Sequence, residues 1–338
     1  MRSDRLVLLA AALALAGCGG YTDFTLPNLG PQTASAGFRW DARSAPVLSP
    51  GAPGEWDGVD VLNPSVVKRE GLYYNLYSGF DGKTWHTGLA QSADGVSWTK
   101  LGKVLSPAPA SWEGDYIAAN GSALVSGGDF LYWYQAGRLP SIGLARSADG
   151  RRWAKLPRPV LRPGPRGSWD ERGVADPYVI RAGGSYYMYY LGQDRARRQR
   201  IGVARSLDGV SWEKLRRNPI LELGEAGAFD ENGLGEPAVW SWQGRYWMLY
   251  TGRDRGEMRR IGLASSPDGV TWRRLPPGSV FSGGQAWDAK VVCDPSVLVD
   301  EGRIRVWFGG GDVASPSERL HGRIGFAILP AVDANLTK

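Results

Sequence analysis

Apolar positions along this chain come in short runs, β-branched in one and aromatic in the next, each closed by Gly, Asp, Asn or Pro. Runs such as Tyr186–Tyr190 and Tyr246–Tyr250 have the length and composition of strands. One phrase recurs four times, at Gly88–Trp98, Gly143–Trp153, Gly202–Trp212 and Gly262–Trp272, with Asp-Gly in the middle and Trp at the end. Asp holds a turn through its own side chain and Gly supplies the positive φ, so each copy predicts a strand, a tight turn and a second strand. The Asp residues fall at 94, 149, 208 and 268, spaced 55, 59 and 60 residues apart. That period predicts a repeated small sheet of the propeller kind rather than a helical solenoid.

A second element precedes each phrase. An aromatic–acid pair leads, about seven positions on, to a polar residue followed by Pro or Gly. The copies run from Trp56-Asp57 to Asn63-Pro64, Trp112-Glu113 to Asn120-Gly121, Trp169-Asp170 to Asp176-Pro177, Phe229-Asp230 to Glu236-Pro237, and Trp287-Asp288 to Asp294-Pro295. A β-branched strand, a short turn and an aromatic strand follow each. The fifth copy has no Asp-Gly-Trp hairpin of its own. Phe38-Arg39-Trp40 with Pro46–Gly51 repeats the pattern of Arg152-Trp153 with Pro159–Gly164, so the N-terminal strand supplies the missing outer strand. The expected fold is all-β: a five-bladed β-propeller, four antiparallel strands per blade, closed by the N-terminal strand, over residues 38–330 with a tail at 331–338. Closure removes the exposed edges of an open stack.

Arg2 and Arg5 precede the apolar run Leu6–Ala16, which is shorter than the roughly 20 residues of a spanning helix. Leu15-Ala16-Gly17-Cys18 resembles the lipobox of bacterial lipoproteins. That resemblance implies a signal peptide over 1–17, a lipidated Cys18, a polar tether over 18–37, and a place in the cell envelope, on the outer membrane, with the lipid as the only membrane contact. Cys293 is the one other cysteine, so the mature chain has no intrachain disulfide. Fifteen Trp and fourteen Tyr suit flat sheets packed face to face, and 40 basic against 34 acidic residues, without a basic run, gives no nucleic-acid signature.

Asn63, Asn120, Asp176, Glu236 and Asp294 hold one position in five repeats and are expected to encircle the channel mouth. Crowded carboxylates raise one another's pKa and keep a proton available, as acid–base chemistry or ligand binding needs. Local capping by Asp and Asn is the structural alternative, and Glu236 suits it least.

The blade count, the Asp-Pro of the third repeat and the Glu-Pro of the fourth resemble the glycoside hydrolase superfamily of family 43 arabinanases and xylosidases, family 32 fructosidases and family 130 mannoside phosphorylases. The resemblance spans about Phe38–Pro330. It implies a carbohydrate substrate, Glu236 as general acid and Asp176 as the residue that tunes and orients it; no cofactor is expected, and no metal, since neither histidine has an acidic motif around it. Where family 43 places a base Asp, this chain has Asn63. The base role then falls to Asp294 or Asp60, or phosphate replaces activated water, or the funnel binds glycans without cleaving them. The connections between second and third strands carry Arg138, Arg195 and Arg255 among other arginines, together with His321. With Asn63, Asn120 and Asp60 they form the expected substrate-binding set, suited to an anionic sugar. A sialidase is disfavoured, because its box separates Asp from Gly and its ring has six blades.

Overall fold

The computed structural model describes residues 20–31, 36–275 and 278–333. The leader and Cys18 lie outside the described residues. Among the described residues the fold is all-β, with one 3-10 turn at Ala286–Asp288. Antiparallel strands form four sheets in chain order: Asp60–Arg69 to Thr99–Leu105, Ala118–Ser126 to Ala154–Lys155, Gly173–Ala182 to Glu213–Leu215, and Gly233–Trp242 to Arg273–Arg274. The fifth comprises Val291–Asp300, Arg303–Gly311 and Arg323–Ile328, with Asp41–Ala42 pairing to Ile328 and Ala327. A single bridge, Arg259 to Val291, joins the fourth and fifth. The innermost strand of each sheet packs on that of the next, and the fifth packs on the first.

The repeated phrases are structural. Asp94, Asp149, Asp208 and Asp268 each accept the amides two and three residues on, at 2.7–2.9 Å, and the Gly of each turn sits at φ between 73° and 76°. Sheets lock to one another through these turns: Trp307 donates to the Gly95 carbonyl, Trp133 to Gly209 and Tyr189 to Gly269. The acid of each aromatic–acid pair ties inner to outer strands. Asp57 meets Tyr77 and Lys100, Glu113 meets Tyr134 and Lys155, Asp170 meets Tyr190 and Lys214, and Asp230 meets Tyr250 and Arg274. In the fifth sheet Phe308 replaces the tyrosine and Asp288 caps the amides of Gly284 and Gln285 instead.

Apolar layers fill the gaps between sheets. Leu76 and Leu89 face Phe130 and Tyr132; Trp133 and Leu144 face Met188 and Tyr190; Tyr187 and Tyr189 face Tyr246 and Met248; Trp240 and Trp247 face Val306 and Phe308; Trp307 and Phe326 face Tyr73 and Tyr77. Burying one such side chain contributes about 1.5–3 kcal/mol.

The tether expected at 18–37 is corrected for residues 20–31. Tyr21–Thr22 runs parallel to Lys214–Leu215 as an added outer strand of the third sheet. Phe24 and Leu26 are buried, Phe24 against Tyr187 and Leu26 against the Gly269 turn, because two apolar side chains find a gap between the third and fourth sheets. At the other end Ala331–Asp333, expected as tail, pairs with Ala36–Phe38.

Candidate active site

Each innermost strand carries the same defect. Its register slips at Leu62/Ser65, Ala119/Ser122, Ala175/Tyr178, Gly235/Ala238 and Cys293/Ser296. Within each slip one residue is left-handed: Asn63 at φ 48°, Asn120 at 48°, Asp176 at 45°, Glu236 at 52° and Asp294 at 51°. A left-handed non-glycine costs about 1–2 kcal/mol, and a bulge re-aims a side chain. Five equivalent bulges turn five polar side chains to a common centre. All five line one cavity of about 270 Å³, as the sequence reading expected of Asn63, Asn120, Asp176, Glu236 and Asp294.

Hydrogen bonds link them around the centre. Glu236 Oε2 accepts the Asp294 amide at 3.0 Å, Asp294 Oδ2 accepts the Asn63 amide at 3.2 Å, and Asn120 Nδ2 donates to Asp176 Oδ1 at 3.3 Å. Burial first, then the Glu236 charge, pushes the Asp176 carboxyl up to about 7, with Asn120 and Arg259 opposing. Burial and Glu236 likewise hold Asp294 well above the carboxylate range. The site therefore keeps protons at neutral pH.

Asp294 is poorly placed as the base. It is buried, its carboxyl retains a proton, and one oxygen already engages the Asn63 amide and the Cys293 thiol. Atoms of Glu236, Cys293 and Asp294 lie within 4.8 Å of one another, closer than the roughly 6.5–9.5 Å of an inverting carboxylate pair. That cluster has metal-like spacing, but the buried Arg259 guanidinium lies in electrostatic reach of all three groups and supplies the counter-charge.

Asp60 is corrected outright. It is wholly buried, and its oxygens accept the amides of Arg319 at 2.6 Å and Gly322 at 2.8 Å. It fastens the connection between Gly311 and Arg323, which forms a strap beside the cavity. Arg259 grips the same strap at the Ser315 and Pro316 carbonyls, and Tyr116 donates to Glu318 at 2.6 Å. Pro316 and Ser317 of the strap, with Tyr116 and Trp85, form one wall.

The expected rim set is also corrected. Arg138, Arg195, Arg255 and His321 are exposed and do not line this cavity. Arg255 pairs with Glu231 and His321 with Asp312. Their loop-tip positions reach solvent, whereas the residues at strand ends face inward. Those are Gln135, Gln193, Gln199, Arg253 and Arg259. Gln193 and Arg253 hold equivalent places, two residues before the expected Arg195 and Arg255 in the matching runs Gln193-Asp194-Arg195 and Arg253-Asp254-Arg255. Asp194 and Asp254 instead pair with Arg200 and Arg260, both at 3.0 Å.

Residues 67–219 match the Glycosyl hydrolases family 32 N-terminal domain. The uncharacterised protein Rv1502 of Mycobacterium tuberculosis is 31% identical over 231 residues, covering 63% of this chain and 75% of that one. A 1,2-beta-oligomannan phosphorylase of Thermoanaerobacter sp. is 25% identical over 210 residues, covering 58% and 64%. Among solved structures, one from the GH130 family of mannoside phosphorylases, which contains glycoside hydrolases that target β-1,2 mannosidic linkages in Candida mannan, superposes with a TM-score of 0.68 at 19% identity, covering 89% and 96%. The fold is one that this solved structure shares. The chain belongs to the family of the mycobacterial protein.

Proposed function

We propose that this protein is a glycoside-cleaving enzyme whose five sheets are the blades of a β-propeller, the strand Asp41–Ala42 completing the fifth. The observation that carries the reading is the fivefold left-handed bulge, a strained conformation repeated where it aims three carboxyls and two amides into one cavity. The relatives that match by sequence and fold support it. Glu236 protonates the leaving oxygen, and Asp176, which shares its proton-rich surroundings, orients and resupplies it. The family 43 resemblance gives Glu236 the acid role and Asp176 the tuning and orienting role.

With Asn63 at the base position and Asp294 protonated, neither of these residues can activate water opposite Glu236. This favours an external anion as nucleophile. Arg253 lines the cavity with its terminal nitrogens on Gln199 and Glu257, and its guanidinium is the cation we assign to a bound phosphate. In phosphorolysis a phosphate oxygen bonds the anomeric carbon as the glycosidic C–O bond breaks, and the departing oxygen takes the Glu236 proton. β-1,2-Mannosides head the substrates to test, since relatives act on them. Glycan binding without cleavage is the second reading, favoured by Asn63.

Incubating the purified protein with a panel of mannosides and other glycans, with and without inorganic phosphate, separates the readings. Sugar phosphate formed only with phosphate, and lost in Glu236→Gln, is the expected result. Free sugar alone indicates hydrolysis. Binding without either product, or full activity in Glu236→Gln, overturns the mechanism.

A further inference from the structure

We propose that a cleft on the second sheet, beside the cavity, binds an acidic sugar of the glycan that enters the cavity, and holds its carboxylate on Arg138 and Arg162. The cleft measures about 470 Å³, within the range of small-molecule sites, and Trp112, Asp115, Arg138, Leu139 and Arg162 line it. It adjoins the cavity at two places along the chain. Asp115 lines the cleft and Tyr116 the cavity; Leu139 lines the cleft and Pro140 the cavity. Backbone bonds fix its walls. The Trp85 amide donates to the Tyr116 carbonyl at 2.8 Å, and the Gly137 amide to the Glu113 carbonyl at 2.9 Å. The Arg162 carbonyl accepts Lys214 Nζ at 2.7 Å.

The second repeat departs from the other four where this cleft lies. In those four a glycine of the second strand (Gly79, Gly192, Gly252 or Gly310) lets the aromatic ring lie against the strand, and a Cβ there would come within 2.3–2.4 Å of the ring. The matching residue here is Ala136, so the Trp112 ring stands off. Its centroid is 6.4 Å from that of Tyr134, against 5.5–6.0 Å in the four matching pairs. The stretch from Trp112 to Asn120 is also one residue longer than its counterparts, and Asp115 and Tyr116 within it are exposed. Leu139 is 51% exposed. The indole and the leucine offer an apolar surface to the C–H face of a sugar ring. No carboxylate of the described residues pairs with Arg138 or Arg162. The matching cleft on the fourth sheet neutralises its cations instead: Arg255 pairs with Glu231, Arg260 with Asp254 and Arg274 with Asp230, at 3.0–3.3 Å. Two free guanidinium forks match a carboxylate, and Asp115 accepts sugar hydroxyls. That the ligand is a glycan rests on the glycoside-cleaving reading of the cavity; the preference for negative charge does not.

Titration calorimetry of the full chain, as parent and as Glu236→Gln, against β-1,4-linked trimannuronate and mannotriose tests the proposal. These trisaccharides differ only at C6, carboxylate against hydroxymethyl. Trimannuronate is expected to bind about tenfold tighter at low salt, as one charge-assisted hydrogen bond gives. The gap should narrow at about 0.5 M salt. Arg138→Gln and Arg162→Gln, both at exposed positions, should each remove most of the preference, and Arg255→Gln should leave it. Equal affinity for the two trisaccharides, a preference that survives in the Arg138→Gln/Arg162→Gln double variant, or one lost equally in Arg255→Gln would overturn the inference. A chain that cleaves nothing yet prefers trimannuronate would keep the cleft and remove the cavity's reading. Cleavage of neutral mannosides without an acidic preference would do the reverse.

Discussion

Asp176→Asn should stabilise the fold above neutral pH while removing activity. The Asp176 carboxyl is raised from 3.8 to about 7 by burial and by the Glu236 charge. Between those values the native state holds a proton that the unfolded chain has released. Stability therefore falls as pH rises from about 4 to about 7 and is level beyond, where the penalty is complete. At roughly 1.4 kcal/mol for each pH unit the ceiling is about 4 kcal/mol. Asn removes the charge but keeps an oxygen for the Asn120 amide, which donates at 3.3 Å. Partial exposure to the cavity and the lost attraction to Arg259 bring the expected gain to about 2 kcal/mol at pH 8. Urea unfolding of parent and variant near pH 4 and near pH 8 measures it. A difference that is the same at both pH values, or a variant less stable at pH 8, would refute the linkage.

Three further outcomes test other parts of the structure. Asn63→Asp puts a carboxylate beside Asp294 and should shift product from sugar phosphate towards free sugar, read by chromatography of both; an unchanged ratio would show that position 63 does not choose the nucleophile. Lys214→Met strands Asp170, which is fully buried, and should cost about 3–5 kcal/mol in denaturant unfolding; a loss under 1 kcal/mol would mean that the Tyr190 contact suffices. Deleting 38–51 removes the strand that pairs with Ala327 and Ile328 and the Leu48 bridge to Ile324, and should lower the midpoint of one cooperative transition; an unchanged midpoint would contradict closure by this strand.

The repeat was legible because the Asp-Gly turn depends on chemistry local to a few residues, and so were the five inward positions. Their left-handed backbone was not, since it follows from slips between paired strands that no single segment encodes. Asp60 looked available because proximity in sequence hides the fact that distant amides at Arg319 and Gly322 occupy it. Arg253 and Arg259 counted only among the many rim arginines while Arg138, Arg195 and Arg255 were singled out, although strand ends point more reliably into a central cavity. Phe24 and Leu26, two apolar residues in a polar stretch, gave too weak a pattern to predict burial.

The pairing of Asp41–Ala42 with Ala327 and Ile328 also sets a timetable for synthesis. The residues that finish the last sheet leave the ribosome long before their partners, Ala42 pairing with Ala327 and Asp41 with Ile328. Four sheets can form as they emerge, but the fifth waits for both ends of the chain to be free at once. Until then the fifth sheet lacks its outer strand, so the clasp makes this sheet the last to be completed.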